Sequence, residues 1–380
     1  MERIFMMSTR PIVAAYYFPN WHVDPRIENI HGHGWTEWRV TQYATPRFDG
    51  HDQPKVPLWG YQDESKPEVM APKISSAVNY GIDAFIFDWY WFTDGPYRER
   101  CLNNGFLKAY NNKDIKFAIM WANHDAINAH PGSYWKPAEP IWSGIVTEES
   151  FKACTDYCIQ HYFNQPNYLR IDGGLYFQIF RPYSMVHDLG GEEKAKVIFD
   201  DFRSRVEKAG LGELMLCATV DEWFDGGSLD EKNSFFKKVG FVIGASYGWD
   251  KRNEKEDFPA LDYNVWFNHV KESIEQKCSM YKMPWSPLVV TGWDSSPRTV
   301  QSDMFEPRQF PFGSVVINDT PERFEEALRY VKNLYDQKIS TSPMITISCW
   351  NEWTEGAYLE PDRTYGYGKL QAIKNVFGRR

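Results

Sequence analysis

Met344-Ile345-Thr346-Ile347-Ser348, followed at once by Cys349-Trp350-Asn351-Glu352-Trp353-Thr354-Glu355-Gly356, reads as a buried β-strand that ends on a polar, aromatic turn. The apolar run is too short for a helix and lacks the strict alternation of a strand with one wet face. That pattern suits a parallel strand covered on both sides. Working outward, seven more runs of the same kind appear: Ile12–Tyr17, Ala84–Trp89, Phe117–Trp121, Leu175–Phe180, Leu214–Val220, Phe241–Ala245 and Leu288–Thr291. Helical patterns separate many of them, at Glu68–Tyr80, Glu148–Phe163, Glu192–Ala209, Tyr263–Met283 and Pro321–Gln337. Thr320-Pro321 supplies a cap and a first-turn proline for the last of these. Eight strands alternating with helices predict an α/β fold, a single (β/α)8 TIM barrel over residues 1–380 with its site on the loops after the strands. The segments 18–66, 122–147 and 292–319 are long for connections and are expected to wall the cleft.

The residues just past each strand are rich in usable chemistry. They include Trp21, Asp88 with Trp89 and Trp91, Asn123 with His124, Arg181, Asp221 with Glu222, Tyr247, Trp293, and Trp350 with Asn351 and Trp353. Together with Trp35 and Glu37 these are the candidate substrate contacts. Aromatic residues make up 17% of the chain, with 16 Trp, more indole than a core needs. A buried indole N–H must find a partner, whereas an indole in a cleft stacks on the apolar face of a sugar.

Net charge is −9 with dispersed basic residues, which argues against a nucleic-acid partner. No apolar run approaches the roughly 18 residues of a membrane span. The apolar part of Met1–Arg10 is too short for a signal peptide, so a soluble, cytoplasmic chain is expected, or a periplasmic or surface one if a leader was removed. The sequence carries no sign of oligomeric state. The six cysteines show no disulfide spacing; Cys154 and Cys158, one helical turn apart, are expected to pack in the core, and Cys217 and Cys349 to behave as small hydrophobes.

Glu352 and Glu355 are the candidate catalytic pair, because glycosidic bond chemistry needs two carboxyl groups about one bond. At a spacing of three they share a cleft only if Asn351–Gly356 is helical or tightly looped. Asp221-Glu222 is a rival source of the second acid. His31, His33 and Glu37 invite a metal reading, but three ligands without a fourth favour loop order or sugar contact. No cofactor and no metal are expected. Arg181 and Arg298 suit either an anionic group or a salt bridge at the barrel rim.

Trp350-Asn351-Glu352-Trp353-Thr354-Glu355-Gly356-Ala357-Tyr358-Leu359-Glu360-Pro361 resembles the terminal motif of the WbsX-like group, which is often labelled glycosyltransferase and is related to glycoside hydrolase family 99, the endo-α-mannosidases and endo-α-mannanases. Ala14–His22, Gly34-Trp35-Thr36-Glu37-Trp38, and Gly81–Phe85 with Tyr90-Trp91-Phe92 resemble the same group, so the likeness spans nearly the whole chain. It implies a metal-independent retaining mechanism on a Glu-x-x-Glu motif. Glu352 would be the base on the substrate's own 2-hydroxyl, through an anhydrosugar, and Glu355 the acid/base. The family commonly has His after the motif's second Trp; here Thr354 stands there.

The expected function is therefore hydrolysis of an α-linked oligosaccharide or polysaccharide. The alternatives are a glycosyltransferase of surface polysaccharide synthesis, which would want a phosphate cradle, and a non-catalytic glycan-binding barrel.

Overall fold

The computed structural model describes residues 5–221, 227–249 and 256–378. All eight expected strands form: β1 (Ile12–Tyr17), β2 (Ala84–Phe92), β3 (Lys116–Trp121), β4 (Gly174–Ile179), β5 (Leu214–Thr219), β6 (Ile243–Ala245), β7 (Trp285–Ser286 and Leu288–Val290) and β8 (Met344–Ser348). They run parallel in the order β7-β6-β5-β4-β3-β2-β1-β8-β7, a nearly closed barrel. The closure lies in β7, which is interrupted at Pro287. Its first half pairs with β6 (Gly244 with Trp285) and its second with β8 (Leu288 with Thr346). Proline has no N–H to give a ladder. Its carbonyl still accepts from Thr346 N at 2.9 Å, so the strand changes partners at Pro287.

The connecting helices are α1 (Pro67–Asn79), α2 (Glu148–His161), α3 (Glu192–Lys208), α4 (Leu229–Val239), α5 (Tyr263–Met280), α6 (Pro321–Asp336) and α7 (Gly368–Phe377). The Thr320 hydroxyl caps α6 and Pro321 opens it, as the sequence predicts. Helices α4 and α7 add to the five segments that the sequence pattern predicts. The signal for α4 was present, since Ser228 and Glu231 form a reciprocal capping box.

Strand side chains alternate between barrel interior and helix layer. Tyr176 and Gln178 of β4 both point inward, where Gln178 bonds Tyr176, Tyr16 and Thr219 in a polar layer inside the barrel. Facing outward, Phe87 packs on Phe106 and Phe117, and Trp89 on Tyr157 of α2. All six cysteines are free and buried. Among the described residues no helix is long and apolar enough to cross a membrane.

Candidate active site

Past β8 the chain makes a tight reversal. Asn351-Glu352 pairs antiparallel with Ala357-Tyr358, and Trp353–Glu355 between them is one turn of 3-10 helix. Three residues per turn stack positions i and i+3 on one side, so Glu352 and Glu355 are brought to the same face. Gly356 closes the turn at φ +65°, and a Cβ there would meet Asp294 N at 2.8 Å. That closeness lets Asp294 N donate to the Glu355 carbonyl at 2.5 Å, fastening the loop after β7 to the loop after β8. The Asp294 carboxylate in turn accepts from His51 Nε2 at 2.7 Å and Gln53 Nε2 at 2.6 Å, adding the loop after β1.

Arg298, from the β7 loop, is the cation at the centre. Its Nη1 donates to Glu355 Oε1 at 2.7 Å, its Nη2 lies 3.4 Å from Glu352 Oε1 and 3.2 Å from Glu37 Oε1, and its Nε donates to Thr354 Oγ1 at 2.9 Å. The Thr354 hydroxyl passes its own proton to Glu37 Oε1 at 2.6 Å. Of the two roles open to Arg298, the salt bridge is what forms. Burial opposes the charge on Glu37, but His130, Arg298 and Arg98 outweigh it and hold its carboxyl well below the usual range. Thr354, where the family commonly has His, is therefore fully buried behind the acids.

The two glutamates stand in different surroundings. Burial, then the charge of Glu352, pushes Glu355 up to about 8 against the pull of Arg298, so it carries its proton at neutral pH. Glu352 instead collects donors. Its Oε2 accepts from Tyr247 OH at 2.7 Å and faces the Cys349 thiol at 3.4 Å, while Arg298 faces Oε1. Tyr247 OH also lies 2.7 Å from Asp88 Oδ2. A phenol has one proton, so Tyr247 stands where it can donate to either carboxyl. Burial and the Glu352 charge raise Asp88 well above the ordinary carboxylate range, against the Tyr247 hydrogen bond, which lowers it.

This arrangement has a measurable consequence. A carbon-13 titration of the Glu355 side-chain carboxyl should show a midpoint near 8, moving higher in Arg298→Gln, where the cation that favours ionisation is gone. A midpoint in the ordinary carboxylate range, or a downward move in the variant, would refute the arrangement. A raised folded-state pKa means a stabilising contribution complete below about 4.3, the ordinary Glu value, and lost as pH climbs through about 8.

Above the pair lies a cavity of about 650 Å³, within the roughly 300–1,000 Å³ of small-molecule sites. Of the expected contacts, Asp88, His124, Arg181, Tyr247 and Trp293 line it together with Glu352 and Glu355. Others stand one layer back. Asp221 accepts from Tyr247 N at 2.9 Å, Asn123 exchanges hydrogen bonds with the Arg181 backbone, and Asn351 does the same with Phe18. Glu37 belongs to this layer through Arg298 and Thr354. Glu222 lies outside the described residues.

Six tryptophans expected at the cleft are placed elsewhere. Trp350 and Trp353 both donate to Glu360, Trp21 donates to the Asn351 carbonyl and stacks on Trp38, and Trp35 backs His31. Trp89 and Trp91 stack beside Tyr157 of α2. Strand alternation is the reason: with Asp88 inward, Trp89 and Trp91 must face the helices and Tyr90 the cavity. That rule, applied to the sequence, would have found Tyr90. The cavity's aromatic wall also takes Phe18, Tyr97, Trp142, Trp249 and Phe310, and its polar wall takes Arg98 and His130, none of which the sequence analysis names as a candidate contact.

A parallel barrel with this rim has a glycoside-hydrolase-like fold related to family 99. A GH99 endo-α-mannosidase from Bacteroides thetaiotaomicron, solved with BIS-TRIS propane, superposes with a TM-score of 0.58 at 12% identity, covering 97% of this chain and 95% of that one. A structure described as a glycoside hydrolase-like protein gives 0.58 at 16% identity, covering 100% and 97%. The chain belongs to the family described as glycosyltransferase WbsX, whose model matches residues 13–373. WxcX of Xanthomonas campestris pv. campestris strain B100 is 25% identical over 395 residues. The alignment takes in 97% of this chain, which spans about half the length of that relative.

Proposed function

We propose that the chain is a retaining glycoside hydrolase acting on an α-linked glycan, endo-acting on a mannose-containing chain in the most specific form of this reading. Glu352 takes the proton of the substrate's 2-hydroxyl as O2 attacks C1. The bond from C1 to the leaving oxygen breaks, and Glu355 gives that oxygen its proton. Water then opens the 1,2-anhydrosugar at C1, losing a proton to Glu355, while Glu352 returns its proton to O2. Two inversions at C1 leave the configuration retained. Asp88, Tyr247, His124, Arg181 and Trp293 are proposed to contact the sugar, in one catalytic unit over 1–380 that needs no metal.

The observation that supports this reading most is the contrast between the two neighbouring carboxyls. Glu355 is pushed up to about 8, while Glu352 faces Tyr247, Cys349 and Arg298. Carboxyls whose environments set them apart divide into an acid and a base. The family's label favours a second reading, sugar transfer from a nucleotide. Incubation with defined α-glycans and, separately, with nucleotide sugars tests both. New reducing ends of retained anomeric form support the hydrolase, and 2-deoxy substrates should resist cleavage. Nucleotide release coupled to glycan extension would overturn it.

A further inference from the structure

Beyond β3 the chain leaves the barrel as a hairpin that walls one side of the cavity. Ala126-Ile127 pairs antiparallel with Pro140–Trp142, with a register shift between Ala126 and Ile127. Ala126, Ile127, Ile141 and Trp142 border the cavity, and Ile27 joins them from the short helix Pro25–His31. Ile27 is buried, whereas Ile127, Ile141 and Trp142 keep part of their surface uncovered.

The wall is backed and anchored. Ile27, Ala126 and Trp142 pack into one cluster with Phe92 and Tyr97. The Trp142 ring lies 5.2 Å from that of Tyr97, and the Arg26 guanidinium sits 5.6 Å from its centroid. At the tip, Gly132 N donates to the Arg298 carbonyl at 2.7 Å, and Val300 N to the Gly132 carbonyl at 2.9 Å. The hairpin is thus tied to the residue that centres the acid pair.

This wall gives a hydroxyl few partners. Asn128 N donates to the Glu139 carbonyl, Ala129 N to the Ile127 carbonyl and Gly144 N to the Asp125 carboxylate. Arg26 donates to Asp94 and faces the Gly95 and Pro96 carbonyls. The charged groups nearby are matched. Arg181 has Asp125 as charge partner, and Arg98 stands 3.9 Å from Glu37. Burial lowers His124 to about 4, so its ring is neutral.

A hydroxyl pressed on such a surface loses water without gaining a hydrogen bond. The flat C–H face of a sugar ring suits an aromatic plane better than the branched methyl groups of Ile127 and Ile141. A methyl group on the sugar needs no partner and gains by leaving water. An acetyl group also carries a methyl, but its carbonyl would need a donor, and the N–H groups of Asn128, Ala129 and Gly144 are engaged.

We propose that the glycan contains a 6-deoxyhexose, bound with its C6 methyl group against Ile127 and Ile141. Such a sugar keeps the 2-hydroxyl on which Glu352 is proposed to act and lacks only the hydroxyl at C6. This inference rests on the hydrolase reading of the same cavity, which product analysis of the unaltered enzyme tests by itself.

The test is binding without turnover, in Glu352→Gln. NMR titrations compare the methyl α-glycosides of mannose, galactose and glucose, in D and L forms, each with its 6-deoxy counterpart. Every pair differs by one oxygen. At least one 6-deoxy sugar should bind about tenfold tighter than its partner, a ratio that one small group can set in an apolar pocket. Salt should leave that preference unchanged, since no charge contributes to it. Saturation transferred from the protein should be strongest at the sugar's methyl protons. Adding Ile127→Asn should bring the preference to about one, and Ile127→Val should keep most of it. The saturation pattern decides the matter even if Ile127→Asn does not fold. Equal binding within every pair, or no binding, overturns the proposal, as does weak saturation of the methyl or a preference that survives Ile127→Asn. Tighter binding of an acetylated hexose, with no preference for any 6-deoxy sugar, overturns it in favour of an acetylated glycan.

Discussion

Glu355→Gln should cut the rate on an unactivated α-glycan by about 10²–10⁴-fold, the usual contribution of a positioned acid. The amide keeps the shape of the carboxyl, and its oxygen still accepts from Arg298 Nη1, which now stands 2.7 Å from Oε1. The fold should therefore be unchanged. What is lost is the proton for the leaving oxygen, so the deficit depends on the leaving group. On a substrate with an activated phenol, which leaves without a proton, most of the loss in Glu355→Gln should vanish. Glu352→Gln should remain slow on both substrates, because activation of the 2-hydroxyl does not depend on what departs. Rescue of the Glu352 variant instead would exchange the two roles, and no loss in either variant would remove the pair from the chemistry.

Lys73→Met should cost about 3–5 kcal/mol, the range for removing one partner from a buried ion pair. Lys73 reaches from α1 to Glu64 and Glu360, with its side chain 2% exposed. Burial opposes its charge, but the two carboxylates prevail and raise its pKa above the ordinary lysine value. Glu360 also accepts from Trp350 and Trp353, and Glu64 from Asn351, so the cluster supports the turn bearing Glu352 and Glu355. In the variant the two buried carboxyls lose their cation, so ionising them in the folded state becomes costly. Glu64 is already raised to about 7 by burial, and without the cation it rises further; a raised folded-state value stabilises below the unfolded pKa and that contribution is lost as pH increases, so the deficit should grow from pH 4.5 toward neutral. Urea titrations at several pH values read this directly. Adding Glu64→Gln and Glu360→Gln should recover more than half of the loss; no recovery would mean that shape, rather than charge, sets the cost.

The barrel was legible because parallel strands buried on both faces appear as short apolar runs, and all eight were found within a few residues. The meeting of Glu352 and Glu355 on one cavity was legible because both lie in one contiguous motif. Arg98 was not, since its ring partners at 18, 90 and 97 meet only after folding and its left-handed backbone has no sequence signature. Trp89 and Trp91 misled for the opposite reason. Their indoles suggested a cleft, but the pleat of β2 turns them to α2. Thr354 carried no cue that it would bridge Arg298 to Glu37.

Arg298 holds Glu355 at 2.7 Å and Glu352 at only 3.4 Å. Under the proposed roles, negative charge leaves Glu352 and arrives on Glu355 in the same step. The guanidinium is thus already closer to the oxygen that will become anionic, and the number of charges around it stays constant. Arg298 acts as a fixed counterweight, matched to the charge distribution after the proton moves, so no heavy atom has to shift to accommodate it.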